Sequence, residues 1–234
     1  MQQLALAMRL NDELTFANYF PGQANALAFQ TLSEIVNSAA ELAVFIAGPQ
    51  SSGKSHLLQA VCHAASIAGR TALYLPLGEM SDYDPAAVLD GLEHTNIVCL
   101  DEIDSVLAND EWELQLFNLY NRMLSSGNRL LVASRQAPSG LAVQLPDLLS
   151  RLNQMLVLTL KSPSDDDCIK ALQMRASVRG MNLNDELAQY ILSRQRRDMR
   201  SLMVCLELLD QTTLDLKRKL TIPLIREVLA QNDA

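Results

Sequence analysis

At 234 residues the chain can bury a full hydrophobic core and hold one domain, or one domain with a small appendage. Its 49% hydrophobic and 20% charged residues are ordinary for a globular protein, and the formal net charge of −8 disfavours a broad non-specific nucleic-acid face, which needs clustered lysine and arginine. Cys62, Cys99, Cys168 and Cys205 are scattered, with no CxxC pair and no zinc-like spacing, and read as buried free thiols they point to a reducing compartment.

The N-terminal MQQLALAMRLNDEL has no basic flank ahead of a long apolar core, so it does not read as a secretory signal. No apolar run approaches the length of a membrane span, so the expectation is a cytoplasmic protein with no membrane partner. Strand-like apolar runs recur at LAVFIAG (42–48), TALYLP (71–76), NIVCLD (96–101), RLLVAS (129–134) and MLVLTL (155–160). Helical patterns separate them, notably at 54–69 and 110–127. Near-continuous apolar strands alternating with amphipathic helices predict an α/β fold with a five-stranded parallel sheet flanked by helices. After residue 161 the strands stop, and helical patterns fill 164–180, 184–194, 198–212 and 223–231. Ser162-Pro163 opens that segment and Pro223 stands near the start of its last helix. The expected layout is an extended tail over 1–13, a nucleotide-binding α/β subdomain over 14–161 and a small all-helical lid over 162–234.

The first strand runs into GPQSSGKS: Gly48, Pro49, Gln50, Ser51, Ser52, Gly53, Lys54 and Ser55. This matches the G-x-x-x-x-G-K-[ST] phosphate loop, and it follows a strand and opens a helix, as the mechanism requires. The glycines let the backbone wrap the phosphates, and N–H groups at the helix start meet negative charge. Lys54 is expected to reach the β- and γ-phosphates, and the Ser55 hydroxyl to ligate Mg²⁺. The alternative, a chance glycine-rich turn, is outweighed by the flanking strand and helix. NIVCLDEID supports the same site by placing Asp101 and Glu102 at a strand end, where Asp101 can hold the magnesium and Glu102 can orient or deprotonate water. Ser134, ending RLLVAS, either holds water near the γ-phosphate or caps whatever follows.

Together these residues resemble the AAA+ family of P-loop NTPases, and within it the bacterial replication-initiator clade. LTFANYFPGQANALA (14–28) resembles the initiator segment TF-x-NF-x-x-G-x-x-N that wraps the nucleobase, which implies a base pocket of Phe16, Tyr19 and Phe20. Gly53-Lys54-Ser55-His56-Leu57 resembles GKTHL, adding His56 to the phosphate-binding set. LPDLLSRL (145–152) resembles the segment carrying an arginine finger, placing that role on Arg151. The plainer alternative makes Arg151 a loop surface charge paired with Asp147, worth little. RRDMRSLMVCLELL (196–209) resembles the lid helix with the second sensor arginine, placing that role on Arg200. A basic helix start is otherwise unfavourable against the helix dipole. KLTIPLIREVL (219–229) resembles the end of the initiator module, so the resemblance covers roughly 14–231.

The departures matter as much. Initiators continue into a helix-turn-helix DNA-binding domain, whereas this sequence ends at Ala234, so no sequence-specific DNA-binding domain is expected. The leading Gln3-Leu4-Ala5-Leu6-Ala7-Met8 resembles a peptide that binds the DNA polymerase sliding clamp, with Gln3 at a pocket rim and Leu4, Leu6 and Met8 as apolar anchors. It departs from the usual proline-containing form through Ala5 and Ala7. The whole is similar to the regulatory inactivators of the replication initiator DnaA. That resemblance implies ADP or ATP with Mg²⁺ as cofactors, the sliding clamp and DnaA as partners, and a homodimer or higher assembly. It implies a negative regulator of replication initiation that activates a partner's ATPase more than it turns over its own nucleotide. Two rivals stand against it. A helicase loader would carry a helicase-binding segment, yet only about 40 residues precede the first strand. A small-molecule P-loop kinase would need an acceptor pocket with its own base, for which the sequence offers no candidate.

Overall fold

The computed structural model describes residues 10–37, 42–196, 198–216 and 219–232. The expected tail anchors Gln3, Leu4, Leu6 and Met8 lie outside the described residues. Residues up to Tyr19 and from Gln23 to Lys161 form one compact unit, and Phe20–Gly22 with the chain from Ser162 form a second.

The first unit is an α/β layer structure. Its strands are β1 (Ala43–Ala47), β2 (Ala72–Pro76), β3 (Ile97–Asp101), β4 (Arg129–Ser134) and β5 (Leu156–Thr159), and its helices are α1 (Ala26–Glu34), α2 (Lys54–Ile67), α3 (Pro85–Leu89), α4 (Asp110–Ser125) and α5 (Pro146–Gln154). All pairings are parallel and the sheet order is β2-β3-β4-β1-β5. This is the expected AAA+ architecture, and each apolar run becomes a strand trimmed by at most two residues. Side chains alternate across the sheet. Val44, Ile46, Ile97, Cys99, Leu131 and Ala133 pack with Leu32 of α1 and Leu57, Leu58 and Val61 of α2. Phe45, Val98, Leu100, Leu130 and Val132 pack with Trp112, Leu116 and Leu119 of α4 and with Leu148 and Leu152 of α5. Burial on both faces is why the strands read as continuous apolar runs rather than as alternating ones.

Strand order places the chemistry. The chain leaves β1 for the far edge strand β2, while the β4-to-β5 connection passes β1 on the other side, so the carboxyl end of β1 is a topological switch point, where open α/β sheets leave a crevice for ligands. In register, Ala47 pairs with Ser134 and Thr159, and Asp101 with Pro76, so the candidate residues share one edge of the sheet.

The second unit contains α6 (Asp165–Val178), α7 (Asp185–Arg194), α8 (Met199–Leu216) and α9 (Ile222–Asn232). Leu172, Ile191, Leu202, Leu206, Leu209 and Ile225 fill its core. Ser164 and Asp167 close a reciprocal capping box on α6, and Asn184 caps α7 by accepting from the Leu187 N–H. Gly180 follows α6 with φ +74°, the left-handed turn that ends a helix.

All four cysteines are free and buried, and the Sγ atoms of Cys62 and Cys99 lie 3.7 Å apart between α2 and β3. Burial pushes the thiols of Cys99 and Cys168 up and that of Cys205 to about 11. Among the described residues no helix is long and apolar enough to cross a membrane.

Candidate functional site

The loop between β1 and α2 is fixed at its start by the Gly48 N–H, which donates to the carbonyl of Ser134 on β4 at 3.1 Å. No side chain fits at Gly48, because a Cβ there would stand 2.8 Å from both the Leu160 carbonyl oxygen and the Ser52 hydroxyl. Gly53 turns the chain into α2 with φ +97°, a conformation that favours glycine. Ser51 is also left-handed at φ +60°. Among the described residues the buried Ser52 hydroxyl has no hydrogen-bond partner, so the loop holds a donor with nothing there to give its proton to. Lys54 opens α2 and is 8% exposed; its Nζ donates to the carbonyls of Gly48 at 2.7 Å and Pro49 at 2.8 Å. Burial draws the Lys54 ammonium pKa down against the opposing pull of Asp101, Asp104 and Glu102. Ser55 follows, exposed on the first turn of the helix.

Facing this loop are the ends of β3 and β4. Asp101 is 1% exposed and accepts from the Tyr74 hydroxyl at 2.8 Å and from the Glu102 N–H at 2.9 Å. Tyr74, on β2, thus fixes with its phenol the carboxylate expected to hold magnesium, in the neighbourhood of Ser55 and Gln59. Burial and the neighbouring Asp101 charge push that phenol well above its usual range. Glu102 sits in a left-handed backbone conformation, φ +55° and ψ +42°, and its carboxylate lies against Gly78, where a Cβ would overlap it. Burial, then Asp101 and Asp104, push the Glu102 carboxyl up.

Ser134 is fully buried and caps no helix. Its hydroxyl donates to Asp104 Oδ1 at 3.1 Å and accepts a 3.3 Å bond from the Gln136 N–H. Asp104 also forms an ion pair with Arg135, whose side chain is 66% exposed. Burial alone would raise the Asp104 carboxyl, but the Arg135 guanidinium and the Ser134 hydroxyl hold it below the usual carboxylate range.

The expected base-pocket aromatics divide between the units. In the first, Tyr19 stacks on Phe29 at 5.7 Å, meets the His56 ring edge-on at 5.2 Å and lies on Gly53, while Phe16 meets Phe29 edge-on. Phe20 belongs to the second unit. Burial raises the Tyr19 phenol to about 12. His56 Nε2 bonds the Thr15 carbonyl oxygen at 2.8 Å, so this ring fastens the segment before α1 to α2. Arg151 stands on the last turn of α5 rather than in a loop, because Pro146 starts a helix one residue after Leu145. Among the described residues no ion pair joins Arg151 to Asp147. Its guanidinium lies over the Tyr120 ring, 5.9 Å from the centroid, and donates to Gln154 at 3.4 Å. Arg200 is exposed on the first turn of α8, and Asp198 ahead of it accepts from the Ser201 N–H and hydroxyl.

Tyr74, Asp104, Arg135 and Gly78 were not expected at the site from sequence. Asp104 alone had a visible signal, as the last residue of DEID. The loop and its donors fit a phosphate chain: a cradle too tight for a Cβ, a buried unpartnered hydroxyl and a buried ammonium. Ser55 and Asp101 offer the hard oxygen ligands that a magnesium ion takes.

Comparisons agree with this architecture. A model of the Hda lid domain matches residues 165–229, and a model of the bacterial DnaA ATPase domain matches residues 10–75. An uncharacterized protein of Haemophilus influenzae is 42% identical over 229 residues, spanning 97% of this chain and 98% of its own. Domain III of the Thermotoga maritima replication initiation protein DnaA superposes with a TM-score of 0.80 at 19% identity, over 95% of this chain and 98% of that one. AMPPCP-bound DnaA from Aquifex aeolicus gives 0.74 at 20% identity, over 86% of this chain and 66% of that one. The Thermotoga maritima RuvB Holliday junction branch migration motor gives 0.68 at 20% identity, over 92% and 73%.

Proposed function

The chain belongs to the DnaA-related AAA+ proteins, with the lid domain of Hda, and on that premise we propose that it is a nucleotide-bound negative regulator of replication initiation acting on DnaA in trans. ADP or ATP lies along the loop 48–55, with the backbone N–H groups and Lys54 on its phosphates. Lys54 Nζ exchanges the carbonyls of Gly48 and Pro49 for phosphate oxygens. Ser55 and Asp101 would hold Mg²⁺, which when bound neutralises phosphate charge. Phe16, Tyr19 and Phe20 cover the base, and Arg200 reads the nucleotide from the lid. Gln3, Leu4, Leu6 and Met8 dock on the sliding clamp, and Arg151 is presented to ATP held by DnaA. A homodimer or higher assembly belongs to the same reading.

One observation carries the choice of regulator over self-contained ATPase. Glu102, the group that would activate water, rests on Gly78, and the Ser134 hydroxyl is given to Asp104. The bound nucleotide then acts as a ligand that favours one assembly state, not as a fuel. The test is hydrolysis of labelled ATP preloaded on DnaA, with clamp and DNA present. Arg151→Ala should lose the stimulation by about 10³-fold, as for a lost arginine finger, while Glu102→Ala keeps it. The opposite result would mean that the protein works through its own hydrolysis.

A further inference from the structure

Glu113 lies on the first turn of α4 and is 1% exposed, yet no cation faces it among the described residues. A buried carboxylate without a counter-charge is costly unless N–H groups solvate it. Here backbone amides do so. Oε1 accepts from the N–H groups of Ala108 at 2.9 Å and Gln144 at 3.1 Å, and Oε2 accepts from Gln144 at 2.9 Å and Leu145 at 2.6 Å. Leu145 is the N-cap of α5 and has no capping side chain of its own. Glu113 therefore ties Gln144 and Leu145, the two residues that lead into α5, to the start of α4 across the fold.

Seven residues along α4, on the same face, Tyr120 places its ring beneath the Arg151 guanidinium. One helix thus holds α5 near both ends: a carboxylate on the amides of Gln144 and Leu145 that lead into it and an aromatic face under its last turn. Since α5 has only nine residues, these two points set where Arg151 leaves the surface.

We propose that Glu113 and Tyr120 are positioning residues for Arg151, holding α5 and its guanidinium in the direction needed to reach a nucleotide on a partner molecule. This rests on the reading of Arg151 as a group that acts in trans. The test uses the full chain, with ATP-loaded DnaA, clamp and DNA, and follows hydrolysis as the concentration of the regulator is raised. Tyr120→Leu and Glu113→Gln should lower the plateau by about 10- to 100-fold, the scale of a misplaced reacting group. The half-saturating concentration and the ADP affinity should stay unaltered, which a general loss of structure would not allow. Tyr120→Phe keeps the ring and should restore the plateau. Should Glu113→Gln fail to fold, the Tyr120 pair decides alone. The inference is overturned if Tyr120→Leu keeps the wild-type plateau while Arg151→Ala loses it, or if the variants raise the half-saturating concentration at an unaltered plateau. If Arg151→Ala itself keeps the plateau, the trans reading falls and this inference with it.

Discussion

Lys54 donates a 2.7 Å hydrogen bond to the carbonyl of Gly48, the first residue of its own loop. Its ammonium is thus buried at the place where the loop would turn around a phosphate. Lys54→Ala removes that charge and should weaken ADP binding on the order of 10²-fold or more, since hydrogen bonds from a charged group contribute about 1.5–3 kcal/mol each. Calorimetry on the folded variant checks it, and unaltered affinity would refute the phosphate-loop reading.

Gly48→Ala tests the packing of the same loop. The added methyl meets the Leu160 carbonyl oxygen, a backbone atom that cannot swing aside as a side chain can. Overpacking of this kind costs about 1–3 kcal/mol. A clear fall in melting temperature is expected, and a variant as stable as the parent would show that the backbone just after β5 yields at this point.

The Asp104–Arg135 pair predicts a pH dependence. The Asp104 carboxyl is held low in the folded protein, so it contributes stability that is complete above the ordinary aspartate value of about 3.9 and is lost as pH falls through the folded value. Asp104→Asn should therefore melt below the wild type at neutral pH, and the gap should close only as pH drops below about 4. Melting curves across that range decide; a gap that persists undiminished at low pH would assign the loss to something other than the charge.

The tail makes a separable prediction. Deleting residues 1–8, or changing Gln3 and Leu4 to Ala, should remove binding to immobilised sliding clamp while leaving the melting temperature and ADP affinity unchanged. Retained clamp binding would place the anchor elsewhere in the chain.

What the sequence disclosed was what runs along the chain. The phosphate loop and the Asp101-Glu102 pair are legible because each sits at the end of an apolar strand, and strand ends in a parallel sheet share an edge. Contacts across the fold were not legible. Tyr74 reaches Asp101 and Glu113 reaches Leu145 over separations of 27 and 32 residues. In DEWELQL, Glu113 reads as one more acid complementing a helix dipole, and only the packed structure turns it inward. Ser134 was placed at the correct strand tip, but its role depended on Asp104, whose backbone turn is set by the left-handed Glu102. Arg151 reads as a loop residue in the sequence, and only the structure shows that Pro146 starts a helix beneath it.

The sealed thiols have a practical consequence. All four cysteines are buried, and three of them are held protonated well past neutral pH, so a maleimide or a spin label finds almost no native thiolate to attack. A cysteine introduced on the surface away from the site, at Ile67 or Val178 for instance, becomes a single-site attachment point without stripping the chain of its own sulfurs. Fluorophore pairs placed in this way can test whether the distance between two labelled positions changes when nucleotide is added, in otherwise wild-type protein.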